Sequence, residues 1–186
     1  MGAYKYIKES FQEGYKERSN VLKARMVDWN NQPPINIIEK PTNIARAREL
    51  GYKDKQGVIV IRARIKKGLR KRAKPRGGRK PSKSGRFFSR RKSLQAIAED
   101  RSSRAYSNCE VLNSYYVGED GRSKYYEIIL LDRSHPSITN DRSYSEVVDS
   151  RGRAFRGLTA AGKRHRGIIS RDRTRMGTSV RQMERS

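Results

Sequence analysis

Apolar positions keep a regular period through residues 1–65 and 94–131, and the period disappears from residue 150 onward. Tyr4, Ile7, Phe11, Tyr15, Arg18 and Leu22 recur at three- and four-residue steps, which predicts a helix over 3–27, weakened at Gly14. NNQPP at 30–34 breaks the pattern, and Ile35, Ile37 and Ile38 make a short extended segment. A second short helix is expected from Pro41-Thr42 through Leu50, with Thr42 as N-cap and Gly51 closing it. VIVIRARI (58–65) reads as a strand. Ile59, Ile61, Ala63 and Ile65 form one face, while Val58, Val60, Arg62 and Arg64 form the other, so the strand starts buried on both sides and turns cationic on one. Leu94, Ile97, Ala98, Arg101 and Ala105 mark an amphipathic helix with Ser93 as its cap. CEVLNSYYV (109–117) and KYYEIILL (124–131) are strands joined by a turn at Glu119-Asp120-Gly121. A short helical stretch is expected near His135–Asn140. This order predicts an α+β fold, a small and mainly antiparallel sheet with packed helices. The chain has no internal repeat.

Charge changes the picture. The chain of 186 residues carries 44 Lys and Arg against 19 Asp and Glu, a net +25. Residues 62–92 hold 16 Lys or Arg and no acid, and residues 150–186 hold 11 with 2 acids. The rest has 17 of each sign. The sequence therefore divides into one neutral body (1–61 and 93–149), a long basic internal arm (62–92) and a basic C-terminal extension (150–186). Close cations repel by about 1 kcal/mol per pair even in water, so such a run needs a polyanion. Gly68, Pro75, Gly77, Gly78, Pro81 and Gly85 rule out a long helix or strand across the arm. The arm is expected to be disordered in the free protein and ordered on nucleic acid, since it lacks apolar surface to bury.

Other chemistries find little support. One Cys and two His (His135, His165) cannot assemble a structural zinc site. GGRKPSKSG (77–85) is not a phosphate loop, because Lys83-Ser84 precedes Gly85 and no helix follows directly. Cys109, at the start of a strand, reads as a buried filler. Glu99-Asp100 and Glu119-Asp120 read as solvated charge on a helix face and in a turn. No enzyme, cofactor, metal or small-molecule substrate is expected. No apolar run approaches the roughly 20 residues needed to cross a bilayer, and MGAYKYIKES lacks the apolar core of a secretory signal. A cytoplasmic protein with no membrane partner is expected.

Arginines grip phosphate in planar forks, and aromatics among them offer stacking surfaces. No helix-turn-helix, zinc finger or dimeric basic region is visible, which favours structured RNA over DNA. The candidate RNA contacts read from the segments themselves are Arg70, Lys71, Arg72, Lys74, Arg76, Arg79, Lys80, Arg86, Phe87, Arg90 and Arg91 in the arm, with Arg153 in the extension; Phe88 and Phe155 add stacking surface.

Seven strings carry a resemblance: MGAYKYI (1–7), KPT (40–42), LGYKDKQGVIVIRARIKKG (50–68), KSLQAIAEDR (92–101), VLNSYYVGEDG (111–121), YYEIILLD (125–132) and RGLTAAGKRHRG (156–167). In this order the chain resembles the archaeal and eukaryotic-type fifteenth protein of the large ribosomal subunit. The stretch 72–91 follows that family only loosely, residues 133–155 match poorly, and the short tail after Gly167 favours an archaeal source. The resemblance implies a structural constituent of the large subunit, without catalytic activity. It would bind and stabilise folded ribosomal RNA and touch neighbouring ribosomal proteins. Carried over onto the matching strings, it adds Lys53, Lys55, Arg62, Arg64, Lys66, Lys67, Arg156, Lys163, Arg164 and Arg166 as RNA-facing positions. The alternative is a free-standing RNA chaperone or RNA-condensing protein, which would be found mostly away from ribosomes.

Overall fold

The computed structural model describes residues 2–89 and 92–168. Arg90, Arg91 and the last part of the C-terminal extension, from Ile169, lie outside the described residues.

The N-terminal helical pattern becomes two helices, α1 (Tyr4–Lys16) and α2 (Asn20–Asn31). Arg18 takes φ +50°, a left-handed conformation that ends the first helix. The Ser19 hydroxyl then accepts from the Leu22 backbone N–H at 3.3 Å and starts the second. The apolar spacing runs through this break because both helices lie on the same side of the body. β1 (Ile35–Ile38) follows, then α3 (Ile44–Glu49). Here the expected cap shifts by one residue: Asn43 Oδ1 accepts from Arg46 N–H at 2.9 Å, while Thr42 is drawn elsewhere. Gly51, with φ +97°, closes the turn after the helix, as its lack of a Cβ permits.

β2 (Val58–Lys66) leads into the arm, where β3 (Arg70–Lys71) and β4 (Phe87–Phe88) pair antiparallel as a two-stranded ribbon. A single 3₁₀ turn, Pro81–Lys83, lies between them. The arm thus doubles back on itself. After it come α4 (Leu94–Ala105), β5 (Cys109–Glu119) and β6 (Ser123–Asp132). Ser93 caps α4 by accepting from Ala96 N–H at 3.2 Å. The short helices α5 (Pro136–Thr139), α6 (Ser145–Asp149) and α7 (Ala160–His165) are the last among the described residues.

The main sheet has the order β1-β2-β6-β5 and is antiparallel throughout. The predicted α+β class is the class observed. The period-two alternation in β2 sends Ile61, Ala63 and Ile65 to one face, where Ala98 of α4 packs with Val111, Ile128 and Leu130. Val60 points to the other face, onto Trp29, Ala47, Tyr125 and Ile129 beneath α2 and α3. Both faces are covered, which is why β6 reads as a nearly continuous apolar run.

Residues 150–168 differ from the expected extension. Ala154 and Ala161 are buried against the body. Gly152 N–H donates to Glu110 Oε1 at 2.8 Å, and Thr159 Oγ1 donates to Glu99 Oε2 at 2.6 Å. Gly157 and Gly162 touch backbone to backbone: a Cβ added to Gly162 would meet Gly157 Cα at 2.6 Å. Small residues and polar anchors hold this segment in place. A search for apolar periodicity does not detect that kind of packing.

Candidate nucleic-acid interface

The basic residues fall into two physical groups. In the first group, cations are matched within the protein. Arg62 is the deepest. Its side chain is 12% exposed, its Nη2 donates to Thr42 Oγ1 at 3.0 Å, and it lies 3.4 Å from the fully buried Glu127 carboxylate. Its guanidinium carbon sits 4.1 Å from the centre of the Trp29 ring. Burial pulls the Arg62 pKa below its usual value, and Glu127 opposes that shift. Glu127 itself gathers four donors. Besides Arg62, it accepts from Thr42 N–H at 3.0 Å, Thr42 Oγ1 at 2.5 Å and Tyr115 OH at 2.5 Å. This explains why Thr42 does not cap α3. Arg64, one alternation further along β2, donates to the backbone carbonyl of Asn30 at the end of α2.

Other predicted contacts are also engaged within the protein. Arg153 is half-buried and donates Nη1 to the carbonyls of Val111 at 2.8 Å and Leu112 at 3.2 Å. Leu112 sits in a β-bulge and has no partner in the β5–β6 register, and Arg153 supplies its carbonyl with a donor. Lys53 and Lys55 converge on Asp141 Oδ2, at 3.0 and 2.9 Å, and lie over the Tyr144 ring. Ser143 and both lysines hold the Asp141 carboxyl well below the usual carboxylate range. These lysines remain at the surface.

The arm is built differently. Arg70, Lys71, Arg72, Lys74, Arg76, Arg79, Lys80 and Arg86 are all exposed. Among the described residues no salt bridge reaches any of them. Three of them lie near aromatic rings. Arg72 lies 4.4 Å from the Phe88 ring centre, and Arg86 and Lys71 lie 5.7 and 6.0 Å from that of Phe87. Phe87 is itself 56% exposed, so its ring remains accessible from solvent. Arg72 N–H donates to the Arg86 carbonyl at 2.8 Å and extends the ribbon.

Both ends of the arm are tied down. Lys66 pairs with Ser123 in the sheet register, and Lys67 N–H donates to the Arg122 carbonyl at 2.8 Å. Glu119 then bridges Lys67 at 3.1 Å and Lys124 at 3.0 Å, which lowers its pKa. At the far end Lys92 meets Asp100 at 2.5 Å, next to the cap of α4. The ribbon therefore leaves the sheet from a fixed root.

A second basic patch comes from the last described residues. Arg156, Lys163, Arg164 and Arg166 are exposed around α7. Arg156 Nη2 donates to Ser150 Oγ at 3.0 Å, and Arg166 Nη1 to the Arg156 carbonyl at 3.3 Å. Phe155 lies beside this patch, 5.7 Å from the Arg104 guanidinium.

Sequence reasoning did not single out Glu127, which organises the Arg62 site. Its signal was present as one acid inside the apolar run YYEIILLD, opposite an arginine in the next strand. Cys109 is buried at the start of β5, and burial pushes its thiol up to about 11. Among the described residues no cluster of His, Cys, Asp and Glu could hold a metal ion, and no helix is long and apolar enough to cross a membrane.

Comparison with known proteins bears on the same chain. A family model described as Ribosomal L15 matches residues 2–185. The chain is also similar to the "Large ribosomal subunit protein eL15" of Methanocorpusculum labreanum. The two are 46% identical over 170 residues, covering 90% of this chain and 88% of that one.

Proposed function

This chain belongs to the Ribosomal L15 family, and on that premise we propose that it is a structural constituent of the large ribosomal subunit that binds folded ribosomal RNA through its arm. One observation supports this most directly. Arg62, Arg64, Arg153, Lys53 and Lys55 are answered within the protein by carboxylates, carbonyls and rings, whereas between Arg70 and Arg86 the arm gathers nine exposed Lys and Arg that no salt bridge reaches among the described residues. Such a surface is complementary to closely packed phosphates, where it lowers the repulsion between RNA segments.

The proposal sorts the residues by role. Arg70, Lys71, Arg72, Lys74, Arg76, Arg79, Lys80 and Arg86 bind phosphate, and the accessible ring of Phe87 stacks on an unpaired base. By sequence Arg90 and Arg91 join them. Arg156, Lys163, Arg164 and Arg166 form a second contact, and Lys53 and Lys55 offer their surface to RNA while Asp141 orients them. Lys66 and Lys67 fix the root. Arg62, Arg64 and Arg153 act from within, holding the strands that aim the arm. The neutral body supplies shape and contacts to neighbouring large-subunit proteins, and the protein works in the cytoplasm as part of the subunit.

The test is a salt titration of RNA binding. Full-length protein and an Arg76→Ala/Arg79→Ala/Lys80→Ala variant are titrated against large-subunit ribosomal RNA. The log–log salt slope should fall in magnitude by about 2 in the variant, from about 0.7 for each neutralised phosphate contact on single strands. An unchanged slope would show that the arm does not carry the binding.

A further inference from the structure

Apart from the arm, the body contains a groove of about 450 Å³ where α1, α3, β5 and α7 meet. Its volume falls in the range of small-ligand sites. Lys8, Arg46 and Arg164 supply three cations to its lining from three different helices. Glu49 accepts from Lys8 at 2.9 Å and from Arg46 at 2.6 Å, but no salt bridge among the described residues reaches Arg164. One carboxylate against three cations leaves a cationic surplus at the rim.

The interior has a different chemistry. Phe11 and Tyr116 bring aromatic side chains to its lining, and Gln12, Asn43, Gln95 and Asn113 bring carboxamides. These amides are only partly used. Gln95 Nε2 donates to the Ser114 carbonyl at 3.0 Å and to its hydroxyl at 2.9 Å, which leaves the Gln95 carbonyl oxygen as an acceptor. Asn113 and Asn43 each spend their Oδ1 on a backbone N–H, of Ser114 and Arg46, so their NH₂ groups remain as donors. Gln12 is exposed and offers both. A carboxamide presents a donor and an acceptor side by side, as the edge of a nucleobase does. A rim that attracts phosphate, a ring wall and amides with both polarities free together match one nucleotide.

We propose that this groove is a site for a single unstacked nucleotide of the bound RNA, with its phosphate on Lys8, Arg46 and Arg164 and its base against Phe11 and Tyr116 within reach of the amides. The inference rests on the RNA-binding reading of the chain and adds to it a discrete pocket on the body, distinct from the arm. Unpaired bases splayed from loops are the parts of RNA that proteins read by stacking and edge contacts. An acidic peptide of a neighbouring protein would satisfy the cations, but it would leave the ring wall and the free amide edges unused.

The test uses the full-length, isotopically labelled protein at low salt, titrated separately with AMP, CMP, GMP, UMP, ribose 5-phosphate and a hexaglutamate peptide. At least one nucleotide should shift the side-chain amide signals of Gln12, Gln95 and Asn113. It should bind at least about fivefold more tightly than ribose 5-phosphate, the lower end of what one stacked base contributes. Gln12→Ala should reduce that ratio, and Arg164→Ala should weaken both ligands equally. Equal binding of ribose 5-phosphate, movement of those signals by hexaglutamate alone, or silence with all four nucleotides would each overturn the pocket. The same preparations are carried through the salt titration with ribosomal RNA. If that binding persists with its dependence on the arm, only the pocket is lost; if it is absent, the reading of the whole chain fails.

Discussion

Arg62 and Arg72 lie ten residues apart on one run of chain, and each guanidinium lies over an aromatic ring. Arg62 also has a buried carboxylate and a hydroxyl, and it stays largely out of water. Arg72 has only its ring and the solvent. The first is part of how the protein holds itself together, and the second is a group kept available. What distinguishes them is whether the fold supplies an anion. An unpaired buried charge is costly, so every deep cation must be answered, while exposed cations can remain open for a partner.

Removing the body's anion should have the largest effect. Glu127→Ala leaves Arg62 buried without a partner and strips Thr42 and Tyr115 of theirs. A loss of about 3–5 kcal/mol is expected in chemical denaturation, as for other broken buried pairs. A loss below about 1 kcal/mol would mean that Arg62 reaches solvent and behaves like the arm cations.

Gly162→Ala comes next. Its Cβ would press into the Gly157 backbone at 2.6 Å, with no flexible side chain to give way. We expect a destabilisation of about 1–3 kcal/mol, read from thermal melts. Protease cleavage should appear within residues 150–168 before the sheet is attacked. Uniform cleavage would show that this segment is no more separable than the strands.

A smaller effect is expected from pH. Burial raises the pKa of Glu99 above its ordinary 4.5, while hydrogen bonds from Ser114 and Thr159 oppose the shift. A carboxyl whose folded pKa lies above its unfolded one contributes stability below the unfolded value and loses it as pH rises through the folded pKa. Relative to Glu99→Gln, the parent should therefore lose stability as pH rises above about 4.5. Asp141 and Glu119, whose pKa values are lowered, contribute in the opposite direction, so the difference between parent and variant is the quantity to follow. Parallel pH profiles would indicate that Glu99 is ionised at no cost.

The smallest effect on stability should come from the arm. Arg76→Ala/Arg79→Ala/Lys80→Ala should leave the unfolding free energy unchanged within about 0.5 kcal/mol in chemical denaturation, since among the described residues these side chains have no ion-pair partner to lose. A clear gain in stability would be informative as well, because it would measure the mutual repulsion that the arm tolerates in the absence of RNA.

Much of this division was legible in the sequence because it is a matter of period and sign. Alternation in VIVIRARI separated the two faces of β2, and Ser93 marked the start of α4. The break at Arg18-Ser19 was hidden, because two helices on one side of the body preserve a single apolar stripe. Thr42 looked like a cap until the distant Glu127 competed for its hydroxyl. The fold of residues 150–168 was missed because glycines, alanines and side-chain-to-backbone bonds hold it, and none of these raises local hydrophobicity. The groove at Lys8, Arg46 and Arg164 joins residues from far-apart parts of the chain, which no local pattern brings together.

The strand order also has a consequence in time. β2 ends at Lys66, but its inner neighbour β6 begins only at Ser123. At about 5–20 residues per second, the growing chain spends roughly 3–11 s on the intervening stretch. During that interval β2 has β1 on one side and an open edge on the other, and such an edge invites foreign strands. What emerges directly behind it is the rest of the arm, 13 positive charges in the 26 residues from 67 to 92, whose mutual repulsion keeps other copies at a distance while the edge waits for β6. The segment proposed to meet RNA is thus placed in the chain where its charge can also shield the open edge during synthesis.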